Sequence, residues 1–184
     1  MAKPAEDAVA AAAMAGAGLA PTPVVPSSAG ACGAVPLTGG CLCGKHRYAI
    51  TTAPKYVYYC HCSMCRKASG SVVGAWLTVD VASFKPSHAT DKSNDDVDGD
   101  HDDSDGGEPL AVYASSSRFE RHFCSACGSH IMFCRRESPE FVEVCHGSLD
   151  SPQDWPPQNH IWTSAQLPFL TIDTHLPTWA AEPC

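Results

Sequence analysis

Three groups of closely spaced cysteines carry the chemistry that this sequence offers. They read CLCG at residues 41–44, CHCSMC at residues 60–65 and CSACG at residues 124–128. Two cysteines spaced C-x-x-C can turn both sulfur atoms toward one point, and two spaced C-x-C on extended backbone project from the same face. Either spacing can give two thiolates to one zinc ion, at about 2.3 Å each.

Four of the clustered cysteines have the donors for a closed, structural zinc site. Cys41 with Cys43 and Cys124 with Cys127 form two half-sites, each followed by a glycine that suits the tight turn of a zinc knuckle. If the half-sites meet, one tetrahedral zinc ion pins together two segments that are far apart in sequence. Spacing alone leaves open which half-sites meet.

The remaining three, Cys60, Cys62 and Cys65, are one ligand short of the four in a structural zinc site. Water, a substrate or another side chain can hold the fourth position, and an exchangeable position is typical of catalytic zinc. Four histidines are candidates for it, although a single histidine is more often a surface or hydrogen-bonded residue: His122, His130, His146 and His160. On an extended segment, His61 would point away from its cysteine neighbours.

Cysteine usage and the N-terminal segment predict the compartment. The stretch MAKPAEDAVAAAAMAGAGLA has two acidic residues among its first seven and an Ala/Gly-rich run, unlike a secretory signal. The first arginine is Arg47, unlike a mitochondrial presequence, and no stretch approaches the roughly 20 apolar residues of a membrane span. We therefore expect the reducing cytoplasm, or the nucleus, where clustered cysteines bind metal more often than they form disulfides. Four unclustered cysteines are expected to be packing residues: Cys32, Cys134, Cys145 and Cys184.

The charge of the chain is concentrated in one segment. The formal net charge is -8 over 184 residues, and nine acidic residues with one lysine lie between Asp91 and Glu108. The rest of the chain is balanced, so the basic excess of a nucleic-acid-binding protein is missing. The N-x-D-x-D-G pattern at residues 94–99 matches the first half of a calcium-binding EF-hand loop. Because the twelfth position is Asp105 and neither flank is an amphipathic helix, we expect a solvated insertion over about residues 87–109 instead.

Short β-strands dominate from Leu37 onward. Five stretches are rich in β-branched and aromatic residues with partial period-two alternation: KHRYAIT, KYVYYCHC, SVVGAWLTVDVASFK, LAVYASSSRFERHFC and EFVEVCHGSL. No segment carries a long helical stripe, and fifteen prolines and fourteen glycines indicate many turns. The sequence predicts one mostly β domain of five to eight short strands over residues 37–180. A disordered Ala/Pro-rich leader over residues 1–36 precedes it.

The ordered motifs resemble those of one known family. GGCLCGKHRY, YYCHCSMCRKASGS, RHFCSACGSHI, VCHGSLD and NHIW occur in this chain in the order seen in the glutathione-dependent formaldehyde-activating enzyme (GFA) and centromere protein V family. The resemblance covers about Leu37 to Trp179, apart from the acidic insertion, and the C-H-C-x-x-C-R block is its most specific part. It implies a small, mostly β zinc-binding fold of short antiparallel strands, with two zinc ions per chain.

The resemblance also implies roles for individual residues. The family's structural-zinc ligands fall on Cys41, Cys43, Cys124 and Cys127. Its catalytic-zinc ligands fall on Cys60, Cys62 and Cys65. The founding activity of the family is the condensation of formaldehyde with glutathione to S-hydroxymethylglutathione, which is carbon–sulfur lyase chemistry. We therefore expect a zinc-dependent lyase with a small-molecule thiol such as glutathione as its partner, and neither nucleic acid nor a membrane.

Two basic residues follow the cysteine triplet. Arg66 and Lys67 could offset the negative formal charge of three thiolates on zinc and contact the carboxylates of a glutathione-like tripeptide. As solvated cations on a turn they would do neither. The alternative to an enzyme is a non-catalytic zinc-binding interaction module of the centromere protein V type, although the chain lacks the basic excess that chromatin association by charge requires. The sequence does not indicate an oligomeric state.

Overall fold

The computed structural model describes residues 35–88, 109–137 and 139–181, and within them it confirms a mostly β fold. Ten strands are described: β1 (Leu37–Gly40), β2 (His46–Ile50), β3 (Tyr56–Cys60), β4 (Gly74–Asp80), β5 (Phe84–His88), β6 (Ala111–Ala114), β7 (Phe119–Phe123), β8 (His130–Arg135), β9 (Phe141–Cys145) and β10 (His160–Ile161). The helix α1 spans Ser63–Ser69, and short 3-10 helices span Val81–Ser83, His146–Ser148, Pro152–Asp154 and Thr163–Ala165. The count exceeds the predicted five to eight because strands of two to four residues are too short to give a period-two signal.

The strands form two sheets. The smaller has the order β1-β2-β5, and the larger has the order β10-β3-β4-β9-β8-β7-β6. All pairings are antiparallel except that of β10 with β3, in which Ile161 lies opposite Cys60. Helix α1 connects β3 to its sheet neighbour β4, so the end of β3, the start of α1 and the start of β4 meet at one end of the large sheet.

The main hydrophobic core is built by residues of both sheets. Alternate side chains of β2 and β9 are buried, as expected for strands with one face against a core. Strand β4 is buried on both faces, since Leu77 and Val79 belong to the main core while Trp76 belongs to a second cluster that contains Cys60 and Cys65. Strand β4 therefore lies between the main core on one face and the cysteine triplet on the other.

Several predictions fall on other parts of the chain. The leader predicted over residues 1–36 and the acidic insertion predicted over about residues 87–109 lie almost entirely outside the described residues, and with them the calcium alternative. The predicted domain bounds therefore stay predictions. Among the described helices, none combines the length and the apolar character needed to span a bilayer.

Candidate metal centres

The first cluster contains four sulfur atoms, all within 4.8 Å of one another, which belong to Cys41, Cys43, Cys124 and Cys127. Its cysteines come from two turns, one between β1 and β2 and the other between β7 and β8. Each turn ends in a glycine with positive φ, Gly44 at 77° and Gly128 at 74°, a region that glycine adopts without strain. The fold thus brings together the two half-sites that spacing alone could not pair.

The sulfur geometry of this cluster fits a tetrahedral metal ion. The sulfur atoms of Cys41 and Cys43 are 3.5 Å apart, and those of Cys43 and Cys124 are 3.7 Å apart. Four Zn–S bonds of about 2.3 Å at tetrahedral angles would place sulfur atoms about 3.8 Å apart. Hydrogen bonds from the hydroxyl and the N–H of Ser129 lower the pKa of the Cys127 thiol to about 5, which favours the metal-binding thiolate. The residues present therefore suit a closed zinc site.

The second cluster lies where β3 gives way to α1. Cys60 ends the strand, Cys62 caps the helix and Cys65 lies in its first turn, and their sulfur atoms all lie within 4.8 Å of one another. The Cys65 N–H donates a hydrogen bond to the Cys62 sulfur at 3.3 Å. The extended segment places the first two sulfurs on one side, and the helical turn returns the third to the same point.

Cys62 is the most acidic member of this triplet. Hydrogen bonds from the thiols of Cys60 and Cys65 lower the pKa of Cys62 to about 2, and the same contact together with burial raises the pKa of Cys60. Cys60 and Cys65 are buried, whereas Cys62 is half-buried. The neighbouring thiols therefore favour a thiolate on Cys62, whose side chain is only half-buried.

Buried N–H groups line the wall behind the triplet. A Cβ on Gly74 would lie 3.2 Å from the Cβ of Cys65 and 2.6 Å from the indole Nε1 of Trp76, so these two side chains pack side by side. The Arg121 guanidinium is buried and lies 4.9 Å from the ring centroid of Phe133 and 6.0 Å from that of Trp76. Among the described residues, no hydrogen-bond partner exists for Trp76 Nε1 or for Arg121 Nε and Nη1. Unpartnered buried donors suit a site that holds negative charge, as three thiolates do.

Sequence reasoning did not single out Arg121 or Trp76. The signal for Arg121 was its position, because it alternates along β7 with Glu120 and His122 and so faces the opposite side of the sheet. A charge on the buried face of a strand calls for an explanation, but the sequence alone did not show which face is buried.

The histidines that the structure describes do not take the fourth ligand position beside the cysteine triplet, and several of them contact other groups. Within the described part of the chain, neither sulfur group includes a histidine nitrogen within 4.8 Å. His61 is fully buried, with Nε2 3.0 Å from Nδ1 of His160, and burial lowers the pKa of both rings. The Nε2 of His130 lies 3.1 Å from the Met132 carbonyl, and that of His146 lies 2.8 Å from the Trp155 carbonyl.

Arg66 and Lys67 lie on α1 beside the triplet. Arg66 donates a hydrogen bond through Nη1 to the Ala165 carbonyl at 2.7 Å, which ties the helix to the 3-10 turn at Thr163–Ala165. Lys67 is exposed. Their contact with a substrate carboxylate stays a prediction.

A cavity of about 400 Å³ lies on the side of the small sheet, and its lining includes Cys41 of the first cluster together with Arg47, Ser69, Cys145 and Asp150. Ser69 donates a hydrogen bond to the Cys65 carbonyl at 2.9 Å, and Cys145 packs against the buried cluster that contains Cys60 and Cys65. Arg47 and Asp150 form an ion pair in its wall. This volume lies in the usual range for a small-molecule site.

The cysteines outside the two sulfur groups are free thiols where they are described. Cys134 packs in the main core. Cys145 packs against the buried hydrophobic cluster that contains Trp76, Cys60 and Cys65, so both contacts are those expected for packing residues. Cys32 and Cys184 lie outside the described residues.

The chain is similar to a family model, to a named protein and to a solved structure. A family model described as "Glutathione-dependent formaldehyde-activating enzyme" matches residues 36–165, which include all seven clustered cysteines. A Halomonas elongata protein named "Putative glutathione-dependent formaldehyde-activating enzyme" is 28% identical over 145 residues, covering 75% of this chain and 82% of the relative. A crystal structure of a Rhodobacter sphaeroides protein covers 77% of this chain and 98% of its own, with a TM-score of 0.44 and 17% identity.

Proposed function

Because the chain belongs to the family of glutathione-dependent formaldehyde-activating enzymes, we propose that it is a zinc-dependent carbon–sulfur lyase. Its substrate would be a thiol adduct of a small aldehyde, such as S-hydroxymethylglutathione. The observation that carries the proposal is the convergence of Cys60, Cys62 and Cys65 on one point, since three thiolates leave a fourth tetrahedral position for a substrate.

We assign one zinc ion to each cysteine cluster, hence two per chain. The first cluster would hold a structural ion through Cys41, Cys43, Cys124 and Cys127. The triplet would hold a catalytic ion, and zinc in such an open site supplies a Lewis acid and lowers the pKa of a bound thiol. The nine free cysteines among the described residues support a reducing compartment, so we place the protein in the cytoplasm, with the nucleus as the other candidate.

The proposed reaction needs no further reactant. The thiol sulfur adds to the carbonyl carbon of formaldehyde, one C–S bond forms, and the C=O π pair moves to the oxygen. The thiol proton ends on that oxygen, so RSH and H₂C=O give RS–CH₂–OH. The lyase direction breaks the same C–S bond. The buried donors of Arg121 and Trp76 favour an anionic sulfur beside the triplet, and burial keeps water from competing.

The cavity lined by Arg47 and Asp150, which is linked to the triplet through Ser69 and Cys145, would hold the rest of the thiol substrate. Glutathione carries an ammonium group and two carboxylates, and the Arg47–Asp150 pair offers one partner of each sign. We propose that the ammonium group of the thiol substrate binds Asp150 and one of its carboxylates binds Arg47, in place of the contact between these two residues. Arg66 and Lys67 are the proposed contacts for the second carboxylate, because they lie on the helix that carries Cys65.

The test combines metal content with turnover in wild type and Cys62→Ser. The variant should lose one zinc ion per chain and the ability to form or cleave S-hydroxymethylglutathione, while its far-UV circular dichroism stays that of wild type. Cys145→Ser is the control for metal content, because it removes a half-buried thiol that belongs to neither sulfur group.

Two results would count against the proposal. If Cys62→Ser retains full zinc and full turnover, the triplet is not the reaction centre. If wild type holds zinc in the triplet but turns over no thiol–aldehyde pair, the non-catalytic zinc module becomes the better reading.

A further inference from the structure

A third group of metal-binding side chains lies outside both cysteine clusters. Glu120 and His122 are two residues apart on β7, so they share a face of the sheet, and Cys134 lies directly opposite Glu120 on β8. One donor atom from each comes within 4.8 Å of the others, namely the carboxylate Oε1, the imidazole Nε2 and the thiol Sγ. No step of the proposed lyase reaction uses these three residues.

The three separations match one face of a tetrahedral zinc site. The Nε2–Oε1 distance is 3.1 Å, the Sγ–Nε2 distance is 3.7 Å and the Sγ–Oε1 distance is 3.9 Å. Zinc bonds of about 2.0 Å to nitrogen and oxygen and about 2.3 Å to sulfur, at tetrahedral angles, give about 3.3 Å for the Nε2–Oε1 pair and about 3.5 Å for each pair that includes Sγ. Each separation agrees within about 0.4 Å.

A cysteine–histidine–carboxylate catalytic triad fits the geometry less well. In such a triad the two ring nitrogens of the histidine contact different partners, one the nucleophile and the other the carboxylate. Here both contacts of His122 are made by Nε2. A single nitrogen grouped with both a carboxylate oxygen and a thiol sulfur is instead the arrangement of ligands around a cation.

The surroundings of the group also suit a cation. The side chains of Glu120 and His122 are 27% and 16% exposed, so an ion can enter from solvent and keep a water as its fourth ligand, while Cys134 is buried beneath them. The residues directly opposite these three in the neighbouring strands carry no charge: Val112, Ala114, Met132 and Val142. Arg118 and Arg136 continue the same face at the open end of the hairpin, but among the described residues neither forms an ion pair with Glu120, whose ion-pair contact is with His122.

We propose that Glu120, His122 and Cys134 form a third metal site for Zn²⁺ or a cation of similar ligand preference, open to solvent and weaker than the two cysteine clusters. A carboxylate, an imidazole and a thiolate are donors that zinc accepts together. The β7–β8 hairpin, whose turn carries Cys124 and Cys127, would then be cross-linked by metal at both of its ends. The site stands independently of the lyase function, since its ligands lie on the other side of the sheet from Arg121.

The experiment is a zinc titration of the full chain whose two cysteine clusters are already loaded, at buffered free zinc. Wild type should bind one further equivalent. Glu120→Gln and Cys134→Ser should each weaken that step at least tenfold, whereas Glu140→Gln, a carboxylate outside the group, should leave it unchanged. Cobalt(II) in the same step should give thiolate-to-metal absorption in wild type that Cys134→Ser abolishes.

The proposal is overturned if wild type binds no ion beyond the two clusters. It is equally overturned if both ligand variants bind that ion as tightly as Glu140→Gln does, because the three side chains would then form only a surface ion pair over a packed thiol. If Cys134→Ser does not fold, Glu120→Gln alone tests the proposal, because glutamine has nearly the shape of glutamate and the Glu120 side chain is partly exposed. The turnover of Cys62→Ser tests the lyase proposal, and the zinc titration tests the third metal site. Failure of one proposal therefore does not affect the other.

Discussion

Gly74 is the position where the wall of the cysteine triplet has least room for an added atom. It begins β4 opposite Cys60, and a Cβ built on it would lie 2.6 Å from Trp76 Nε1 and 3.2 Å from the Cβ of Cys65. Favourable contacts between heavy atoms begin at about 3.5 Å, so both distances are repulsive. The Trp76 ring cannot turn away, because it is fully buried against Phe133 and His130.

Gly74→Ala should therefore destabilise the fold by about 1–3 kcal/mol, the usual cost of overpacking a core by one methyl group. In a chain of this size each kcal/mol lowers Tm by about 2–4 °C. Because the displaced ring packs beside Cys65, zinc affinity at the triplet should fall as well. Urea unfolding and a buffered-zinc titration measure the two effects.

Gly147→Ala is the matched control, since a Cβ on Gly147 meets nothing within 4 Å. It should be neutral or slightly stabilising, because alanine reduces the entropy of the unfolded chain. If Gly74→Ala is as stable as Gly147→Ala and binds zinc like wild type, the tight packing of Trp76 against Cys65 is not a feature of the molecule in solution.

Two further predictions concern charge near the same wall. Burial, followed by the Arg121 charge, lowers the pKa of His130 to about 4, so the folded protein favours the neutral ring. The stability that the neutral ring contributes is complete above about pH 6.5 and is lost as pH falls through 4. Between pH 7 and pH 5, wild type should lose about 1–2 kcal/mol more unfolding free energy than His130→Gln; equal losses would contradict the buried, neutral ring. Arg121→Met removes a buried charge without an ion-pair partner among the described residues, so Tm should hold or rise while zinc binds the triplet more weakly. A lower Tm with unchanged zinc affinity would show that Arg121 serves packing alone.

The sequence was most informative where local spacing decides the geometry. In C-x-C and C-x-x-C the donors are held close by the backbone itself, so the division into four and three cysteines needed no tertiary information. The meeting of Cys41 with Cys124 did need it, because 82 residues and a change of sheet lie between them, and only strand pairing brings the two turns together. The helical turn that carries Cys65 was also not predicted, since seven residues give too little periodicity to be read.

Other features were hidden because they depend on which face of a strand is buried. Glu120, Arg121 and His122 read as an ordinary polar run, yet the register of β7 sends Arg121 to one face and its two neighbours to the other. Cys134 was interpreted as a lone packing cysteine, because nothing in the sequence shows that it lies opposite Glu120. Cross-strand neighbours are set by register, and register is a tertiary property.

The alternation of β7 and β4 has a consequence for how changes at the two faces combine. On β4, Leu77 and Val79 pack in the main core while Trp76 packs with the cysteine triplet, and on β7 Arg121 lies on the opposite face from Glu120 and His122. Substitutions on opposite faces share no side-chain contact, so their effects should add; neighbours on one face share partners, so theirs should not. Gly74→Ala and Arg121→Met both act on Trp76, and their effects on zinc affinity should be coupled. Arg121→Met combined with Glu120→Gln should instead be additive, although the two residues are adjacent in sequence.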